Sequence, residues 1–396
     1  MSAANIAASL SVNGKGVPYP NHANCVFVLQ HDPTFAMDRI WYDEFQDQVF
    51  LANSPTREWR DDDDTRITVD LQDRFGIRQL GRATVGDCVR FIARQRTRHV
   101  VRDWLNTLTW DGTERIATAF EDYWGADGSD YTRAASANFF IGLAARVYQP
   151  GCKLDTMPVF EGKQGIRKSS ALEVLGGQWY GVAHESVSAK DFLQGLRGKL
   201  VIEIAELQSF SRSEVNAVKT MMSTRTDHYR PPYGRTVVAY PRSCVFAGTT
   251  NADDWGSDET GLRRFWPIAC GTIQLALLAA VREQLFAEAV HQFKASATWW
   301  EMPATTEAIQ ATRQHHDEWT DTVLGWVDLQ LTDAVHIMDV ATSALKLDPG
   351  RVDRGVQGRI GRILRLGGME HKKRREGART RWVWVKPEES DGTFTV

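Results

Sequence analysis

The 396-residue chain predicts an α/β P-loop NTPase core, preceded by a mixed α/β N-terminal region and followed by a C-terminal winged helix-turn-helix-like domain. Three features carry this. A glycine-rich loop lies between an apolar run and a helical segment, two later apolar runs end in Glu206 and Asn251, and the C-terminal segment is strongly basic. Composition fits this class: 42% of residues are hydrophobic and 24% charged, as in ordinary soluble domains. No apolar run reaches the ~18 residues of a membrane span, and Met1 to Leu10 lacks the pattern of a secretory leader. The five scattered cysteines include no C-x-x-C pair. A disulfide framework and a structural zinc site are therefore not expected, and a reducing cytoplasm is.

Residues 1–110 read as a mixed α/β region. Arg39 to Leu51 and Arg66 to Val69 are expected as strands and Val85 to Ala93 as a helix, with Asp61 to Asp64 as a solvated turn rather than a metal site. Trp110-Asp111-Gly112 marks a turn, followed by helical patterning from Ile116 to Trp124 and from Ala134 to Tyr148. The second segment is expected to span 111–300 and the third 301–396.

The central motif is Gly162-Lys163-Gln164-Gly165-Ile166-Arg167-Lys168-Ser169. Met157 to Phe160 leads into it, and Ser169 to Leu175 suits a helix that Gly176-Gly177 stops. In a strand–loop–helix context, backbone N–H groups and the helix N-terminus face phosphates. Gly162, Gln164, Gly165, Ile166, Arg167, Lys168, Ser169 and Ser170 are the expected ATP contacts, with Lys168 on the β/γ phosphates and Ser169 on Mg²⁺. Arg167 stands where a glycine normally precedes the lysine. Either its backbone takes a conformation open to a side chain, or the loop is distorted.

Such a site also needs an acid at the end of a buried strand. Leu200 to Glu206 supplies it, with Glu206 as first choice and Glu203 as second for the catalytic or metal-linked carboxylate. A further apolar run, Ser243 to Gly248, ends in Thr249-Thr250-Asn251, where Asn251 suits either a turn or a water-positioning role. Arg263 and Arg264 follow, as an arginine pair for a neighbouring subunit's γ-phosphate or as a loop anchor. Between the two runs lie Lys219 and a Pro-Pro-Tyr-Gly turn carrying Arg230, Tyr233 and Arg235. It suits a plain hairpin or one that grips a nucleic-acid strand.

Taken in order, Glu161 to Ser169, Ile202 to Leu207, Asp227 to Arg235, Gly248 to Asn251 and Gly261 to Pro267 resemble the virulence-associated protein E family. The upstream Asp103-Trp104-Leu105, Leu108 to Gly112 and Pro150 to Lys153 do so too. That family is similar to the superfamily 3 helicases, an AAA+-like group carried by phages and mobile islands for replication. The resemblance covers roughly residues 100–270. It implies a ring, usually a homo-hexamer, around DNA, with a separate primase or polymerase as a possible partner. It assigns the hairpin to DNA contact, Asn251 to the sensor position and Arg263/Arg264 to the finger position.

Residues 351–386 hold twelve lysines and arginines against three acids, a local balance of +9 inside a total of −3. Asp339 to Leu345 and Arg351 to Leu366 read as two helices, then Glu370 to Arg375 and Thr380 to Val385 as a strand pair. Helix, turn, basic helix and β-hairpin is the order of a winged helix-turn-helix. Arg359 and Arg362 on the second helix and Lys372, Lys373, Arg374 and Arg375 on the wing are the expected DNA contacts. The reading as a whole is a DNA helicase or translocase. Its rivals are a DNA-binding initiator with a nucleotide switch and a small-molecule kinase.

Overall fold

The structure, a computed structural model, describes residues 1–35, 39–52, 56–183, 190–210, 212–230, 236–251, 263–313, 318–330, 332, 334–376 and 379–386. The chain divides into two compact units, residues 1–314 and 315–396. The third segment expected from the sequence starts at 301, yet residues 301–313 pack on the first unit. Gln310 donates to the Phe265 carbonyl at 2.8 Å, and Arg313 pairs with Glu161 at 2.9 Å.

Within the first unit, residues 1–98 enclose a core of their own, built on Ile40, Leu71, Val85, Val89 and Ile92. Strands β1 (Ile40–Asp43), β2 (Gln48–Leu51), β3 (Arg57–Glu58) and β4 (Thr97–Arg98) form one sheet in the order β3-β2-β1-β4. The single strand expected over Arg39 to Leu51 is thus a hairpin, turning at Asp47 with φ 58°.

Two expectations fail at Asp61–Phe75, which is a single helix. Arg66 to Val69 lies inside it: the β-branched run suggests a strand, but Ile67, Leu71 and Phe75 recur every four residues and bury one helical face. Asp61 to Asp64 is no turn but the helix's first turn, where carboxylates complement the positive end of the helix dipole. Asp63 accepts from the Arg60 N–H at 2.9 Å and pairs with Arg57 at 2.6 Å, which holds its carboxyl below the ordinary range. Gly76 in the left-handed region ends the helix.

The core of the first unit is a five-stranded parallel sheet, β11-β5-β10-β7-β6. Its strands are β5 (Met157–Glu161), β6 (Tyr180–Val182), β7 (Val201–Ile204), β10 (Val245–Thr250) and β11 (Phe265–Ala269). Strands β5, β7 and β10 are buried at every position, as expected of a parallel sheet covered on both faces. Helices Asp130–Tyr148 and Leu275–Lys294 pack together on one face around Phe120, Trp124 and Phe160. Helix Arg212–Ser223 lies with Ile202, Ile204 and Phe246 in a second apolar cluster. The helices expected from 116 and 134 begin at Ala119 and Asp130 instead. For the longer one, Ser129 caps the Thr132 N–H and draws the start back by four residues.

The lead into β10 is an antiparallel hairpin of β8 (Thr226–Tyr229) and β9 (Val238–Pro241). Its root is fixed by Arg242, whose Nε donates to Asp227 at 3.0 Å while Nη1 donates to the Met221 carbonyl. Both members of the Arg242–Asp227 pair are buried.

The second unit holds helix Thr320–Asp328, strand β12 (Ala334–Val335), and a short helix Ile337–Asp339 that continues as a π-turn over Val340–Ala344. Helix Arg354–Leu366 and the hairpin of β13 (Glu370–Glu376) and β14 (Arg379–Val385) follow. The strands form an antiparallel sheet in the order β12-β14-β13. Val323, Ile360, Ile363, Leu364 and Trp384 fill the core beneath it. The basic helix starts at Arg354 rather than Arg351, because Asp353 caps the Val356 N–H at 2.8 Å and Arg351 closes a separate 3-10 turn.

Candidate nucleotide site

Strand β5 runs into the loop 162–167, and helix Lys168–Gly176 leaves it. Gly162 has φ 144°, a backbone conformation that L side chains rarely adopt, and a Cβ there would also come within 2.6 Å of the Ile166 Cδ1. Gly165 has φ 86°. Arg167 adopts φ 75°, ψ 29°, the left-handed conformation that a glycine would take freely. The loop keeps its shape at a cost of about 1–2 kcal/mol for the side chain it carries there.

Lys168 is 7% exposed, and its ammonium donates to the carbonyls of Gly162 at 2.6 Å and Lys163 at 3.0 Å. It also reaches the Asn251 side-chain oxygen at 3.1 Å, so the loop and the end of β10 meet through one cation. Burial lowers its pKa, partly opposed by Cys270 and Glu203. An incoming anion would relieve that penalty.

Glu203, on β7, is 1% exposed. Its Oε1 accepts from Ser169 Oγ at 2.7 Å and from Thr249 Oγ1 at 2.6 Å, and its Oε2 accepts from the Tyr180 hydroxyl. Burial, then the hydrogen bond to Glu203, pushes the Tyr180 phenol up. Glu206 lies two residues beyond the strand, exposed, with φ 56°. The two acids therefore occupy different places: Glu203 buried on the Ser169 hydroxyl, Glu206 at the lip. A cleft of about 360 Å³ gathers Gln164, Arg167, Lys168, Ser169, Glu206 and Asn251, and Gly165 and Ser170 line it as well. It opens at the carboxyl ends of the parallel strands, where ligands of such sheets bind.

Sequence reasoning missed Tyr180 and the hydroxyl of Thr249 as partners of the acid. Thr249 could have been found, since it directly precedes Thr250 and Asn251 at the end of an apolar run. Nothing in the sequence ties Tyr180 to a glutamate 23 positions away; β6 pairing beside β7 does so. Ser169, Glu203 and Thr249 supply the hard oxygen atoms that suit Mg²⁺. Among the described residues no group of three or more His, Cys, Asp or Glu side chains could hold a metal ion.

Several expected residues lie elsewhere. Arg264 directly precedes β11, whose first residue pairs with Met157 at the start of β5, whereas the loop follows β5's last residue. A five-residue strand separates them, about 13 Å at ~3.3 Å per residue. Arg264 donates to the Lys219 carbonyl and the Ser223 hydroxyl, so its guanidinium is fixed within its own chain. Arg263 beside it is exposed. Lys219 rests on helix Arg212–Ser223 with its ammonium 5.9 Å from the Phe265 ring centre. Arg230 is exposed just past β8, while Tyr233 and Arg235 lie outside the described residues.

In the second unit, the Arg359 guanidinium stacks 3.7 Å over the Trp319 ring and Arg362 is half-buried. Lys372, Lys373, Arg374 and Arg375 are exposed along β13, where Lys372 pairs with Glu370 and Lys373 lies 5.2 Å over Trp382. No described helix is long and apolar enough to cross a membrane.

Among solved structures, the apo NrS-1 C-terminal region is similar over 88% of this chain and 96% of its own, with TM-score 0.51 and 14% identity. Two A-form apo structures of the same region give TM-scores of 0.49 at the same identity and coverage. No curated protein matches. The virulence-associated protein E-like domain matches residues 105–318, more than half of the chain. This span includes the phosphate-loop motif, both acids, Asn251 and the arginine pair, and the chain belongs to that family.

Proposed function

We propose that the protein is an ATP-dependent DNA helicase or translocase that serves replication of a phage or mobile element. The observation that carries this is the convergence of the loop after β5 and the end of β10 on one cation, with Lys168 Nζ donating to the loop carbonyls and lying 3.1 Å from Asn251. Lys168 would release those carbonyls to bind the β/γ phosphates, helped by the N-terminus of its helix. Ser169, backed by Glu203, would hold Mg²⁺, which neutralises charge on the phosphates when bound. Glu206, strained and exposed at the lip, would take the proton of the attacking water, and Asn251 would orient that water. Water attacks the γ-phosphorus, the bond to the bridging oxygen breaks, and ADP leaves with the electron pair.

The fixed Arg264 and exposed Arg263 support an asymmetric division of labour. Arg264 would set the loop, and Arg263 would reach the nucleotide of a neighbour in a homo-hexameric ring. Hydrolysis would move the β8–β9 hairpin, carrying Arg230, Tyr233 and Arg235, along single-stranded DNA. We read the second unit as a winged helix that meets duplex DNA through Arg362 and Lys372 to Arg375, with Arg359 braced on Trp319. A separate primase or polymerase would supply synthesis.

The test is ATP hydrolysis with and without single-stranded DNA, beside Lys168→Ala and Glu206→Gln. DNA-stimulated turnover that falls at least about 10²-fold in both variants is expected. Turnover preserved in Lys168→Ala would defeat the assignment. ATP binding without any turnover in the unaltered protein would point instead to a DNA-binding initiator with a nucleotide switch.

A further inference from the structure

At the strand ends opposite the nucleotide cleft, the residues leading into β5 and β11 meet the segment after helix Leu275–Lys294. They enclose a cavity of about 550 Å³ lined by Lys153, Asp155, Arg263, Arg264, Trp299 and Trp300, among others. Two indoles stand edge to face, with ring centres 4.9 Å apart and planes at 83°. Trp299 is held in place by its Nε1–H donating to the Lys153 carbonyl at 2.9 Å and by contact with Phe293. Trp300 stands against it and is 57% exposed. Arg264 here is tied to Lys219 and Ser223, whereas the Lys153 side chain is 78% exposed, its ammonium 4.0 Å from the Asp155 carboxylate.

We propose that this cavity binds single-stranded DNA, with an unstacked base on the Trp300 face and its phosphate on Lys153. An open indole beside a cation suits a base with its backbone charge. Duplex DNA is a poor fit, because its bases are already stacked and offer no free face. The cavity volume accommodates a nucleobase. Since the cavity and the nucleotide cleft sit at opposite strand ends, one protomer can occupy both together. The proposal rests on the reading of this chain as a DNA-acting enzyme and adds a contact outside the β8–β9 hairpin and the basic unit.

The experiment is fluorescence anisotropy of labelled oligo(dT) on the full chain with a non-hydrolysable ATP analogue. The variants are Trp300→Ala, Trp300→Phe and Lys153→Ala, with thermal melts to verify folding. Stacking of one base is worth ~1–3 kcal/mol, so Trp300→Ala is expected to weaken binding about tenfold while Trp300→Phe keeps most of it. Lys153→Ala should reduce the salt slope of log affinity by about 0.7. If the unaltered protein binds oligo(dT) and Trp300→Ala binds equally well, this site is wrong and the DNA-acting reading stands. If the unaltered protein does not bind, both fall. A Trp300→Ala variant that loses only nucleotide affinity, or only self-association in sedimentation, also overturns the DNA site, making it a nucleotide pocket or a subunit contact.

Discussion

Ser169 and Glu203 share a 2.7 Å hydrogen bond that joins the first turn of the phosphate-loop helix to the strand two places away in the sheet, across β10. The same Glu203 oxygen also receives Thr249 from that intervening strand, so one carboxylate oxygen joins all three elements. Under the proposed function, the loop would hold a triphosphate, and such a fixed hydroxyl would spare it rearrangement at each turnover.

Replacing Glu203 by Gln keeps the shape and the acceptor toward Ser169 and Thr249 but removes the charge. The Tyr180 hydroxyl can rotate to accept from the new amide, so stability should fall by no more than about 1–2 kcal/mol. Hydrolysis should fall about 10²-fold or more with ATP still bound. Parallel melts and turnover assays check both parts.

Arg167 carries left-handed strain of about 1–2 kcal/mol, while glycine in its place would add about 0.5–1 kcal/mol of chain entropy in the unfolded state. Arg167→Gly should therefore change stability by between zero and about 1.5 kcal/mol, upward. A β-branched Arg167→Val should lower it by at least about 1 kcal/mol, since the backbone there has φ 75°. Urea titrations of the pair give the sign directly.

The buried Arg242–Asp227 pair roots the β8–β9 hairpin. Arg242→Met leaves the buried Asp227 carboxylate without its guanidinium partner and should cost about 3–5 kcal/mol. The drop in the denaturation midpoint measures it.

His99 supplies a pH dependence. Its Nδ1 accepts from the Arg102 N–H at 3.1 Å and caps the helix Val100–Thr107, which requires a neutral ring. Burial, with Arg102 next, holds its pKa below the ordinary value of 6.5. The unfolded chain then binds the proton first, so the stability it contributes is present above pH 6.5 and is lost as pH falls through the folded value. The slope from this group is at most about 1.36 kcal/mol per pH unit. Asp43 nearby is pushed up by burial and acts in the opposite direction, so the test is the difference from His99→Asn. Asparagine keeps a cap but does not titrate, and its stability curve should be flatter below pH 6.5.

The strand, loop and helix of the candidate site were legible because their signals are local. Glycine spacing, an apolar strand before and a helix after define the loop within a dozen residues. Ranking Glu203 against Glu206 was not legible, since the sequence does not say that β7 ends at Ile204 or that Ser169 and Thr249 both face Glu203. The Arg66 to Val69 error has the same origin. Ile-Thr-Val favours a strand locally, and only the longer spacing to Leu71 and Phe75 reveals the helix. Arg264 looked like a partner for another subunit, and its tie to Lys219 and Ser223 depends on a helix more than forty residues upstream.

The β1–β2 turn has a bearing on how the chain can be divided. Asp47 accepts from Tyr240 on β9 at 2.9 Å and also from Tyr42. Arg197, stacked on Tyr240, donates to the Glu44 carbonyl, and Gly198 N–H donates to Phe45. A protein trimmed to the family match at residue 105 would strip Tyr240 and Arg197 of these partners at the foot of the hairpin. The first hundred residues are thus an integral brace rather than a detachable appendage, and shortened versions would report on a hairpin set loose.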